Sequence, residues 1–160
     1  VHLKRIIEEV LPAPADARPE VIWKGGEVRR FQGILYAQKE HTEPCNKAIL
    51  PWLDIGQPLD LSHQGRKLSA ISTKGEGLSQ AMLQNTDISV RFRQGGEVCR
   101  PSGRGQTHQL KKLFQEWQVP PWQRASVPLV YVNGELAQVV GYCHCEPYAA
   151  TNNEPGWVIE

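Results

Sequence analysis

PLVYV, then Asn133-Gly134, then ELAQVVGY: residues 128–142 set an Asn-Gly pair between two β-rich runs. Both residues accept the positive φ of a primed two-residue turn, so the stretch predicts a β-hairpin. Its arms are apolar at most positions, which suits strands in the middle of a sheet. The second arm runs on into Cys143-His144-Cys145, and a short run, Trp157-Val158-Ile159, closes the sequence.

Upstream of the hairpin the pattern changes period. Leu110, Leu113, Phe114 and Trp117 fall on one stripe of an amphipathic helix, with Thr107 as its expected N-cap. Lys112 and Gln115 lie opposite that stripe and Lys111 flanks it. Val119-Pro120-Pro121 ends the helix, and Trp122 either caps the core or stacks on a base or sugar. Before the helix, ISVRFR at 88–93 alternates: Ile88, Val90 and Phe92 share one face, while Ser89, Arg91 and Arg93 share the wet one. The connecting loop holds four glycines between Gln94 and Thr107, which let backbone approach a bulky partner and present amides to anions. It is no P-loop, because no Gly-Lys-Ser/Thr ends it.

Charge concentrates in the same region. Between Arg91 and Arg124 seven basic residues meet two acidic ones, a net +5, whereas residues 125–160 carry four Glu and no Lys or Arg. The net charge of +1 hides this asymmetry. A basic block of this kind predicts a polyanionic partner, the alternative being a solvated face that folds onto the acidic tail.

The remainder reads as scaffold. Leu3, Ile6, Ile7, Val10 and Leu11 repeat with helical spacing, stopped by Pro12 and Pro14. No capping residue precedes Leu3, which suggests a piece of a longer chain. Val21–Trp23 and a single run over 27–36 predict a hairpin through Lys24-Gly25-Gly26. Arg29 and Arg30 must point to opposite faces of that run, so one is expected to be paired and the other solvated. Residues 39–47 are polar and read as a linker. From Ala48 to Arg93, short apolar runs broken at Gly56, Gly65, Gly75 and Gly77 have the spacing of a mostly β domain, with Pro51 and Pro58 at edges or strand starts. The expected fold is α+β: short strands in a layered, sandwich-like domain with one main helix over 48–160, preceded by a helix and β-hairpin over 1–38. A hydrophobic content of 40% allows a proper core, and no run approaches the roughly 18 apolar residues of a membrane span. Four cysteines, unevenly placed, do not make a secreted disulfide scaffold, so a cytoplasmic setting is expected.

The order of these motifs resembles a known family. Gln94-Gly95-Gly96-Glu97, then LKKLFQEWQVPPWQR, then PLVYVNGELAQVVGY resembles the C-terminal domain of bacterial tRNA(Ile)-lysidine synthases over about residues 88–142. ADARPEVIWKGGEVRRFQGILYA at the front resembles the end of that family's middle, substrate-recognition domain. The resemblance implies tRNA modification by a carbon–nitrogen ligase: ATP activates the wobble cytidine of a minor isoleucine tRNA, and lysine joins it to give lysidine. The chemistry of such enzymes sits in an N-terminal adenylation domain with a Ser-Gly-Gly-x-Asp-Ser loop that uses ATP and Mg. The nearest strings here, STKGEG from 72 and QGGEVC from 94, lack that Ser and that Asp. The resemblance therefore implies no catalytic residue and no cofactor in this chain, and a partner adenylation domain elsewhere. It also implies the layered α+β fold, and a grip on the acceptor end of the tRNA.

Duplex RNA is read mainly through phosphates, 2′-hydroxyls and shape, a task suited to Arg and Lys on rigid elements. The candidates are Arg91, Arg93, Arg100, Arg104, Lys111, Lys112 and Arg124, with an internal salt bridge to Glu116 or Glu135 as the other role for Arg124. Two rival classes are a protein-interaction or dimerisation domain, giving a homodimer, and a small structural-zinc module. The latter would use Cys99, His108, Cys143 and Cys145 if the loop meets the final hairpin. Against it, Cys143 and Cys145 have one residue between them, zinc pairs usually have two to four, and the resemblance supplies no metal.

Overall fold

The Asn133-Gly134 pair turns as expected, with φ of +49° and +82°, and joins two strands of a central sheet. The computed structural model of the chain describes residues 1–40, 47–61 and 65–160. It divides into two units, Val1–Glu43 and Pro44–Glu160. Parts of the polar stretch 39–47 lie outside the described residues.

In the first unit, helix α1 (His2–Arg5) runs into a π-helical turn, Ile6–Val10. Three antiparallel strands follow in a meander: β1 (Glu20–Trp23), β2 (Gly26–Phe31) and β3 (Ile34–Gln38). The single strand expected over 27–36 is thus two, broken at Gln32-Gly33, whose φ values of +49° and +80° make the same kind of turn as Asn133-Gly134. Val10, Val21 and Val28 are buried together, with Ile6 and Trp23 against them. Both arginines of β2 have partners. Arg29 bonds Glu20 at 2.5 Å and the buried Glu27 at 3.1 Å, while Arg30 donates to the carbonyls of Leu11, Ala13 and Pro14. The expectation of one solvated arginine is corrected. The chain leaving the π-helical turn passes close enough to Arg30 to offer it three backbone acceptors.

The second unit begins with β4 (Leu50–Pro51), β5 (Leu59–Asp60), β6 (Lys67–Leu68), β7 (Ala70–Lys74) and β8 (Leu78–Ser79). Next come helix α2 (Gln80–Leu83), β9 (Ile88–Arg91), β10 (Val98–Cys99) and β11 (His108–Gln109). Helices α3 (Leu110–Glu116) and α4 (Pro121–Arg124) precede β12 (Leu129–Val132), β13 (Glu135–Val139), β14 (Cys143–His144) and β15 (Pro155–Ile159). The central sheet has five antiparallel strands in the order β14-β13-β12-β9-β4, which puts Pro51 on an edge strand, where its missing N–H costs no ladder bond. A three-stranded sheet, β7-β15-β8, and two small ladders, β5-β6 and β10-β11, complete the unit.

Alternation along β12 assigns the layers. Val130 and Val132 pack with Val90, Ala137, Leu78 and Ile159, so this face of the central sheet lies on the β7-β15-β8 sheet. Leu129 points the other way, with Val139 and Leu136, into a core made by Leu110, Leu113 and Phe114 of α3. A register shift in the β12-β13 ladder leaves Ala137 without a cross-strand partner, so Ala137 and Gln138 both face the second sheet. The unit is the expected α+β domain, with one helix on one face of a sheet and a second sheet on the other.

Helix α3 starts later than the sequence suggests. Thr107 does not cap it, because His108 and Gln109 pair with Cys99 and Val98, and the chain passes straight from strand to helix at Leu110. Its C-terminus closes at Gln118 (φ +55°), with Val119 N–H donating to Phe114 O and Gln118 N–H to Gln115 O, a Schellman closure made without glycine. Trp117 stacks on Tyr142 with ring centroids 5.2 Å apart, and Phe114 meets both rings edge-on at 6.1 Å. Trp122 of α4 is buried, which places it in the scaffold.

Where β15 passes the turn before β8, backbone meets backbone. A Cβ on Gly156 would collide with Glu76 O and sit 3.2 Å from the Ala150 methyl. Gly156→Ala should therefore cost about 1–3 kcal/mol through overpacking, read as a lower urea midpoint at unchanged m-value. Gly134→Ala has open space around it but a φ of +82°, so it should destabilise through backbone strain rather than through a collision.

Candidate nucleic-acid interface

The helix-facing side of the central sheet is only partly covered. Helix α3 packs over β12 and β13, and the neighbouring strand β9 turns Ser89 and Arg91 to the same side, opposite Tyr131 and Leu129. Arg91 lies over the Tyr131 ring, 4.3 Å from its centroid, and its Nε donates to Ser89 Oγ at 3.3 Å. Stacking on a half-buried aromatic holds the guanidinium in place without neutralising it. Burial, with the charge of Glu97 adding to it and that of Arg91 opposing, raises the Tyr131 phenol above its ordinary pKa, so the ring stays neutral.

Two depressions meet at Tyr131. One, of about 390 Å³, is lined by Arg91, Phe92 and the Gly95-Gly96-Glu97 turn. The other, of about 480 Å³, runs from the same turn past Arg100 and Thr107 to Glu135 and Glu146. The glycine-rich loop thus forms the ridge between them. Its amides are not all available, which corrects one expectation. Glu97 accepts from the backbone N–H of Gln94 and, at 3.0 Å, from that of Gly95, so an internal carboxylate takes the place expected for an outside anion.

The seven basic candidates separate by their partners. Lys111 and Lys112 are exposed in the first turn of α3, and Arg100 is exposed at the rim of the larger depression. Arg93 is half-buried, and its Nε lies beneath the surface with no hydrogen bond among the described residues. Arg104 forms a two-pronged pair with Glu116. That hydrogen-bonded guanidinium, aided by its charge, holds the Glu116 carboxyl below its usual range. Arg124 donates from Nε to Val119 O at 2.9 Å, bracing the bend between α3 and α4. Neither salt bridge foreseen for Arg124 forms through the groups named: Glu116 is held by Arg104, and Glu135 accepts from the Tyr148 hydroxyl at 2.8 Å. Tyr131 and Glu97 were not foreseen. Tyr131 reads as one more apolar strand residue until β9 is known to pair with β12, and Glu97 reads as an ordinary loop charge.

Sulfur gathers beside this region. Cys99 and Cys145 form a disulfide, Cys143 is a free thiol 3.7 Å from Cys99 Sγ, and the three sulfurs lie within 4.8 Å of one another. His108 is not part of that group.

Residues 88–160 match the family model described as the TilS substrate C-terminal domain, and residues 1–36 match that of the TilS substrate binding domain. The chain is 42% identical over 159 residues to the tRNA(Ile)-lysidine synthase of Coxiella burnetii. It is 44% identical over 155 residues to that of Legionella pneumophila strain Paris. These alignments cover 99% and 97% of this chain and 35% of each relative, so the chain spans about a third of their length.

The Arg104–Glu116 pair makes a prediction about charge. Glu116→Gln should release Arg104 and delay elution from a heparin column at pH 7. Since the folded carboxyl ionises below its usual range, the gap between wild type and variant should close only once the pH drops below that range. Coincident elution at pH 7 would mean that Arg104 does not face the polyanion.

Proposed function

This chain belongs to the tRNA(Ile)-lysidine synthase family, as the counterpart of its members' C-terminal part, and on that premise we propose that it grips tRNA. The RNA is a minor isoleucine tRNA, held toward its acceptor end, while the anticodon reaches an adenylation domain elsewhere in the full enzyme. That domain supplies the ATP- and Mg-dependent activation of the wobble cytidine and the joining of lysine. No residue of this chain is assigned a chemical step, and the Ser-Gly-Gly-x-Asp-Ser loop is absent from its sequence.

The observation that carries this reading is Arg91 stacked on Tyr131, beside a helix that shows Lys111 and Lys112 to solvent. A phosphate contact needs a cation that is positioned and accessible; sequence-specific base reading is not required of it. Arg91 is positioned by the ring beneath it, and the two lysines by a helix whose other side is fixed by Leu110, Leu113 and Phe114. Arg100 and Arg93 extend the same set through the loop and strand on either side. Within the set, Arg124 acts on the scaffold and Arg104 is masked by Glu116, so both rank below the others as phosphate contacts.

Filter binding of this tRNA at several salt concentrations tests the reading. The log–log slope of affinity against salt should lose roughly 0.7–0.9 for each phosphate contact removed. Lys111→Ala with Lys112→Ala, and separately Arg91→Ala, are expected to flatten the slope, whereas Arg104→Ala should leave it nearly unchanged. Wild-type slopes in both of the first two variants would take this face out of the tRNA contact. The protein alone is expected to form no lysidine from tRNA, ATP and lysine.

A further inference from the structure

The three sulfurs beside the interface are placed by backbone on both sides. Cys143 opens β14, just after the turn from β13, and Cys145 follows two residues later, so strand alternation sends both side chains the same way and His144 the other. The single intervening residue that argues against a zinc pair on a loop instead suits one on an extended strand. Cys99 approaches from β10. Its loop is tied to the hairpin by the Pro101–Cys145 bridge, by Glu146 N–H donating to Arg100 O at 2.7 Å, and by Ser102 N–H donating to His144 O at 2.9 Å. These bonds involve no sulfur and bring the two segments together independently of it. Cys99 and Cys145 are buried, and Cys143 is half-buried, which leaves solvent access on one side.

Two thiolates on tetrahedral zinc, with Zn–S bonds of about 2.3 Å, stand about 3.8 Å apart. The Cys99 and Cys143 sulfurs are already 3.7 Å apart, with Cys145 beside them. We propose that the reduced protein binds one zinc ion through the thiolates of Cys99, Cys143 and Cys145, with water as the fourth ligand on the solvent side. His108, the imidazole expected among the ligands, is outside the cluster and is not assigned to it.

The chemistry balances in two stages. A dithiol reductant donates two electrons and two protons to the Cys99–Cys145 disulfide and is itself oxidised to a disulfide. Zinc then displaces one proton from each of three thiols, giving a complex of net charge −1. Each thiol must lose its proton for its sulfur to bind the metal. Affinity should therefore climb with pH. In a reducing compartment the ion would take over from the disulfide the covalent tie between the Arg100-Arg104 loop and the central sheet.

Cobalt and zinc titrations of the reduced protein decide the matter. About one equivalent of cobalt should bind with a thiolate-to-metal charge-transfer band, be displaced by zinc, and raise the melting temperature until a chelator is added. Cys143→Ser retains both partners of the disulfide and serves as the folding control. Under oxidising conditions it should melt with wild type, and when reduced it should bind zinc at least tenfold more weakly. Less than about a tenth of an equivalent of metal on the reduced wild type, or wild-type zinc affinity in Cys143→Ser, would overturn the proposal.

Discussion

Strand β12 has to be buried on both faces, and the architecture of the second unit follows from that requirement. Leu129, Val130 and Val132 are all fully shielded from solvent, two on one side of the sheet and one on the other. No single covering layer could achieve this, so one face takes a second sheet and the other takes a helix. Each fully buried aliphatic side chain contributes roughly 1.5–3 kcal/mol, which makes this strand the place where the layers are joined. Because α3 is short, it covers β12 and β13 and leaves the Arg91 side of β9 open next to Tyr131. The candidate interface is thus a consequence of how much sheet one two-turn helix can cover.

Electrostatics then selects among the cations that this geometry supplies. A net charge counts every Arg and Lys equally, but their environments differ. Arg29 and Arg30 are committed to carboxylates and carbonyls of the first unit, Arg124 donates to the backbone, and Arg104 is neutralised by Glu116. Arg91 keeps its charge because its partner is an aromatic face. Lys111 and Lys112 keep theirs because the opposite side of their helix does the packing. The basic block is therefore smaller in effect than its sequence total of seven, and its active part lies on two rigid elements.

Much of this was legible in the sequence, and what was not has physical causes. The Asn133-Gly134 hairpin, the apolar stripe of α3 and the alternation in ISVRFR are local patterns, and each fixes an element without reference to the rest of the chain. The turn at Gln32-Gly33 was missed because Gln seldom adopts a positive φ and the flanking run is continuous in β propensity. Thr107 failed as a cap because a ladder between residues distant in sequence, β10 with β11, overrode a local signal. Cross-strand neighbours such as Arg91 and Tyr131, 40 residues apart, are set by register and cannot be read from either segment alone. The convergence of Cys99 with Cys143 and Cys145 has the same origin: the residues were visible, but their meeting depended on a bridge between a loop and a hairpin.

Ultraviolet crosslinking of a minor isoleucine tRNA to the protein, with the linked residues mapped by mass spectrometry, tests the central claim most directly. The account predicts links at Tyr131 and in the peptides spanning residues 91–100 and 110–116, lost when unlabelled tRNA competes. Links confined to β7 and β15, on the opposite side of the central sheet, would contradict it.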